Sequence, residues 1–95
     1  MEAVPESLEA AAGETVEIRL DELASGGFGW DVESAEPGLI VDSRADPPAG
    51  APGAARTRRL LVRATEPGEY ALALRYGRPW EAEPHERREY RIRVT

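Results

Sequence analysis

Cysteine is absent from the 95 residues, which removes disulfide stapling, zinc–thiolate chemistry and a thiol nucleophile together. Histidine occurs once, at His85, with no i, i+4 partner, and the carboxylates lack the spacing of a calcium loop, so neither a metal nor any other cofactor is expected. No apolar run approaches the ~20 residues that span a bilayer. The acidic start, MEAVPESLEAAAGE, has no basic n-region, so no signal peptide is expected in this chain. Lysine, asparagine and glutamine are missing too, while Ala, Arg, Gly, Pro and Glu abound, a bias that reads as codon usage rather than chemistry. No stretch longer than ten residues keeps a helical period.

What is present is enough for one globular domain over residues 1–95, with 41% hydrophobic residues and a single core, its first ten or so residues expected to be loosely ordered. Charge is unevenly spread within the net −6: residues 1 to 43 carry eleven acids against one arginine, and residues 44 to 95 carry seven acids against eleven arginines. An acidic total repels a phosphate backbone, so nucleic acid is a poor partner. The asymmetry itself predicts acidic strands lying beside basic ones.

Alternation with a period of two runs through the chain and predicts strands. TVEIRL puts Val16, Ile18 and Leu20 on one face, WDVES puts Trp30 and Val32 inward, and GLIVDSR forms a shorter apolar run at Leu39 to Val41. Leu60, Val62 and Ala64 share a phase, as do Tyr70, Leu72, Leu74 and Tyr76, and again Tyr90, Ile92 and Val94. With a seventh strand near Leu8 and Gly/Pro turn signals between the runs, the economical architecture is an all-β, immunoglobulin-like two-sheet antiparallel β-sandwich. EPGEYAL at 66 to 72 has the spacing of a tyrosine corner, and Trp30 fits the buried tryptophan of the third strand. In that topology the loops at 21 to 29, 46 to 56 and 77 to 86 emerge at one end.

Catalytic chemistry finds little support. Ser25 and His85 would share that end, but nothing marks an orienting acid or an oxyanion hole. Glu81 and Glu83 lack the cleft a glycosidase needs and read as a solvated acidic loop. GGFG has no strand-to-helix context for a phosphate loop. What remains is a binding edge: glycines that allow close backbone approach, a proline that stiffens the third loop, and Arg78 with Trp80, residue types enriched at interface hot spots. Trp80 can be read either as such an anchor or as a ring folded back to cap the core.

The stretch LASGGFGW, residues 23 to 30, follows VEIRL and contains Gly27, Phe28 and Trp30 in a Gly-aromatic-x-Trp pattern, with Ser25 in the place of a threonine. RPW at 78 to 80 follows Tyr76 and Gly77, about fifty residues later. In these features, from about Ala11 to Val94, the chain resembles the chagasin family, immunoglobulin-like inhibitors of papain-type cysteine peptidases. That family's signatures are an Asn-Pro-Thr-Thr-Gly-aromatic-x-Trp loop, a Gly-x-Gly-Gly loop and an Arg-Pro-Trp or Arg-Pro-Phe loop. Leu23, Ala24 and Gly26 depart from the first. The second falls on GAAR, Gly53 to Arg56, or on GAPG at 50 to 53.

The resemblance implies a reversible, non-covalent protein inhibitor, not an enzyme, that blocks the cleft of a papain-like cysteine peptidase with three loops. Ser25, Gly26, Gly27 and Phe28 would lie over the catalytic cysteine. The loop at Gly53 and the loop of Arg78, Pro79 and Trp80 would grip the walls. A monomer is expected, with a peptidase as partner and neither nucleic acid nor a membrane. The alternative expectation is an immunoglobulin-like protein-binding module without inhibitory activity.

Overall fold

A computed structural model describes residues 5–23, 26–46 and 55–95. Seven strands follow one another: β1 (Glu6–Ala10), β2 (Val16–Leu23), β3 (Gly29–Ala35), β4 (Leu39–Ala45), β5 (Ala55–Ala64), β6 (Gly68–Gly77) and β7 (Glu86–Val94). They form a four-stranded sheet in the order β1-β7-β6-β3 and a three-stranded sheet in the order β2-β5-β4. This is the expected two-sheet sandwich. All neighbours are antiparallel except β1, which lies parallel to β7 with Leu8 opposite Ile92.

The alternation in sequence becomes burial because each strand offers every second side chain to the space between the sheets. Leu60, Val62, Ala64, Leu72, Leu74, Tyr90, Ile92 and Val94 meet Ile18, Leu20 and Trp30 in one core. Fully burying a side chain the size of leucine contributes ~1.5–3 kcal/mol, so this cluster is the main source of stability. The corner also forms: the Tyr70 hydroxyl donates to the Glu66 carbonyl at 2.8 Å, tying the turn before β6 to the strand it opens.

Acidic and basic strands do lie side by side. Glu17 of β2 pairs with Arg59 of the adjacent β5 at 3.7 Å, while Glu33 of β3 reaches across β6 to Arg87 of β7 at 3.2 Å. Two expectations need correction. Val32 has the predicted phase, opposite Leu74, but remains 39% exposed, because β3 is a sheet edge and its register shifts after Val32. The first loop is also shorter than expected: β2 continues past Leu20 to Leu23, because Asp21, Glu22 and Leu23 stay paired opposite Thr57, Arg56 and Ala55.

The register brings the loops together. Leu23 faces Ala55, Ala45 faces Arg58, Gly29 faces Gly77 and Tyr76 faces Glu86, so the β2–β3, β4–β5 and β6–β7 connections leave the same end of the sandwich.

Candidate functional site

Of the three loops, the β6–β7 connection is described throughout and the β2–β3 connection from Gly26 onward. After β6, Arg78, Pro79, Trp80 and Glu81 make a β-turn closed by the Glu81 N–H donating to the Arg78 carbonyl at 3.1 Å. Proline at the second position of a turn supplies its φ in advance, and the residue after it stands at the tip. That residue is Trp80, 71% exposed. The root of the loop is clamped by the His85 N–H donating to the Tyr76 carbonyl at 2.8 Å, and by the Arg75 guanidinium donating to the Glu81 carbonyl at 3.1 Å.

Across from it, Gly26 and Gly27 both hold positive φ, +77° and +79°, a conformation that disfavours any side chain. The second glycine has another reason. A Cβ on Gly27 would stand 2.6 Å from Trp80 Cη2 and 3.0 Å from Cζ3, so the tryptophan ring lies directly on this backbone. The Arg78 guanidinium sits 4.3 Å from the centre of the Phe28 ring and 6.0 Å from that of Trp80, a cation shared by one aromatic from each loop. Half-buried Phe28 stacks on Tyr76 at 5.7 Å and meets the edge of His85 at 4.9 Å. Beneath, Tyr76 packs on Trp30 at 5.0 Å, and its hydroxyl accepts the Leu23 N–H at 3.1 Å. The aromatic column therefore runs from the tip into the core.

Glu81 closes the arrangement. Its Oε1 lies 3.6 Å from Arg78 Nε and 3.7 Å from His85 Nε2. Among the described residues, Arg78 Nε and Glu81 Oε1 are the buried side-chain polar atoms without a hydrogen-bond partner, and they face each other as an ion pair. Glu81, read from sequence as part of a solvated acidic loop, and His85 thus take part in holding the loop. Their i, i+4 spacing brings side chains together by itself only on a helix, so in this loop the contact depends on the turn.

The structure brings together Gly26, Gly27, Phe28, Arg78, Pro79 and Trp80 of the expected site; Ser25 and Gly53 lie outside the described residues. It also adds Glu22. This side chain, from the strand's inward phase, is buried at 2% exposure and accepts hydrogen bonds from the Trp30 N–H at 2.9 Å, Arg56 Nε at 2.6 Å and Arg58 Nη2 at 2.9 Å. The available signal was its phase with Leu20 and Ile18, two and four residues back. Among the described residues, the arrangement contains no nucleophile in contact with a base. It presents a small apolar ridge, of glycine backbone and aromatic faces, at the end of a rigid sandwich.

The sequence and the fold both have counterparts among known proteins. The family model described as chagasin family peptidase inhibitor I42 matches residues 9–94. Among similar solved structures is a cysteine protease inhibitor from Entamoeba histolytica, with a TM-score of 0.76 and 23% identity over 96% of this chain and 87% of the other. The solution structure of amebosin matches with a TM-score of 0.73 and 27% identity, over 94% and 88% of the two chains. PbICP-C, solved in complex with falcipain-2, matches with a TM-score of 0.72 and 18% identity, over 99% and 92%. No curated protein matches the sequence.

Proposed function

Since the chain belongs to the chagasin family of peptidase inhibitors, we propose that it blocks papain-like cysteine peptidases by seating the Gly26–Phe28 and Arg78–Trp80 loops in their active-site cleft. The chain is an inhibitor and not an enzyme. The observation that carries the residue assignment is the exposed Trp80 ring resting on Gly27, which joins the two loops into one ridge before any partner arrives.

Preorganisation matters because association already costs several kcal/mol in lost translation and rotation, and each side chain immobilised on docking adds ~0.5–1.5 kcal/mol. A ridge held by turns, glycines and a shared cation loses less. Trp80 then serves as the anchor, since tryptophan is among the side chains that carry ~2 kcal/mol or more at interface centres. Gly26 and Gly27 let the ridge approach a narrow cleft closely, and Arg78 holds Phe28 and Trp80 in place from behind. Ser25 and Gly53 complete the contact surface from the flanking segments. The protein acts as a monomer against one peptidase. With no thiol or other reactive group in the ridge, inhibition requires no bond to the catalytic cysteine.

The test is steady-state inhibition of papain, together with binding to a papain variant whose catalytic cysteine is alanine. Competitive inhibition and retained binding to the alanine variant are expected. Loss of binding to that variant, or a covalent adduct by mass spectrometry, refutes the mechanism. A binding module without inhibitory activity is not favoured, because the family match spans nearly the whole chain.

A further inference from the structure

Glu22 carries a charge into the sandwich where the alternating pattern calls for a hydrophobic residue, and among the described residues it is the one buried charged side chain. Its partners come from three directions. Oε2 accepts the N–H of Trp30, at the start of β3, and lies 3.3 Å from Arg58 Nε. Oε1 accepts from Arg56 and Arg58, at the start of β5. Arg58 Nη1 reaches on to Ser43 Oγ of β4 at 3.1 Å. The Trp30 indole N–H donates to the Asp21 carbonyl at 3.1 Å, fastening β3 to the residue before Glu22.

These are the roots of two loops. Glu22 and Trp30 flank the β2–β3 loop, Ser43 and Arg56 flank the β4–β5 loop, and β2 and β3 belong to different sheets with no ladder between them. A hydrophobic residue at position 22 would fill the space without directional bonds, leaving the separation of the two loops to packing alone. A carboxylate sets it through hydrogen bonds at fixed angles. Burial by itself would push the Glu22 carboxyl up, but the bonds from Arg58, the Trp30 N–H and Arg56 outweigh it and hold the carboxyl below the usual carboxylate range. The brace therefore stays charged in mild acid.

We infer that Glu22, which touches no partner, is a positioning residue for inhibition: with Arg56 and Arg58 it holds the roots of the β2–β3 and β4–β5 loops at the spacing a peptidase cleft requires. The inference rests on the inhibitory reading above. It is tested with Glu22→Gln, and with Arg56→Met, which removes one donor from a half-exposed position and leaves the carboxylate its other partners. The control is Ile92→Val, a core change opposite Leu8 and Tyr70, away from the loops. Inhibition of papain and residue-resolved amide exchange are measured for all. Glu22→Gln should weaken inhibition by roughly tenfold or more, and Arg56→Met by about threefold or more. Both should speed exchange at Phe28 to Trp30 and at Arg56 to Arg58, while Ile92→Val leaves inhibition and those amides unchanged. Inhibition unaltered in both folded variants, or weakened equally by Ile92→Val, overturns the inference. If the wild type inhibits no papain-type peptidase, the inhibitory reading fails by itself, and exchange then decides the brace: protection lost selectively at the loop roots supports it, and protection unchanged or lost uniformly overturns it.

Discussion

Replacing Gly27 with alanine separates two kinds of cost that usually arrive together. The backbone there has φ of +79°, and an L-residue in this region costs roughly 1–2 kcal/mol, which should appear in folding stability. The added methyl would also stand 2.6 Å from Trp80 Cη2. That contact is with the far end of an exposed side chain, so the ring moves aside rather than the backbone, and the steric part adds little to the unfolding free energy. Binding is where it should register. Trp80→Ala removes the anchor and should weaken inhibition by ~2 kcal/mol or more, about thirtyfold. Gly27→Ala, by displacing the ring, should forfeit a large part of the same energy, about 1.5 kcal/mol. The double variant should then bind no worse than Trp80→Ala by more than a few tenths of a kcal/mol, a coupling of ~1 kcal/mol or more between residues in contact. Urea denaturation supplies the stability values and inhibition of papain the binding values. Strict additivity of the two substitutions in binding would refute the account, since it would mean that the glycine serves the peptidase contact independently of the tryptophan lying on it.

The two tryptophans should behave oppositely. Trp30, 3% exposed and bonded through both nitrogens, should cost ~3–5 kcal/mol of stability when changed to alanine; Trp80→Ala should shift Tm by only a few degrees, and equal losses in the two would make Trp80 a core cap. Tyr70→Phe deletes the corner bond to the Glu66 carbonyl and should cost ~0.5–1.5 kcal/mol by urea denaturation with inhibition unchanged, since the corner lies away from the loops. Because the Glu22 carboxyl is lowered in the folded state, it contributes stability that is fully present above the ordinary glutamate value and lost as pH falls through the lower folded value. The stability advantage of wild type over Glu22→Gln should therefore shrink on strong acidification, and an advantage that grows there would contradict the lowered carboxyl.

Much of this protein is readable without coordinates, and the reasons are local. Period-two alternation reports which side chains a strand offers inward, so Leu60, Val62 and Ala64, or Tyr90, Ile92 and Val94, identify themselves as core. Proline at position 79 ends the β6 run, and that alone implied that Trp80 belongs to a loop. The Glu-Pro-Gly-Glu-Tyr spacing implied the corner. In each case the determining interaction lies within a few residues along the chain.

What the tertiary structure decided involves partners distant in sequence. Alternation assigned Val32 its phase but not its cover, which depends on β3 being an edge strand. Glu22 fell in the loop expected at 21 to 29, and a lone carboxylate in an inward position is unfavourable; it is stable there only because Arg56 and Arg58, more than thirty residues on, arrive opposite it when β2 pairs with β5. In the same way, the need for glycine at position 27 comes partly from its own φ and partly from a tryptophan fifty-three residues away. Such pairings are set by strand register, and register is a compromise among all seven strands at once, so no short window of sequence contains it.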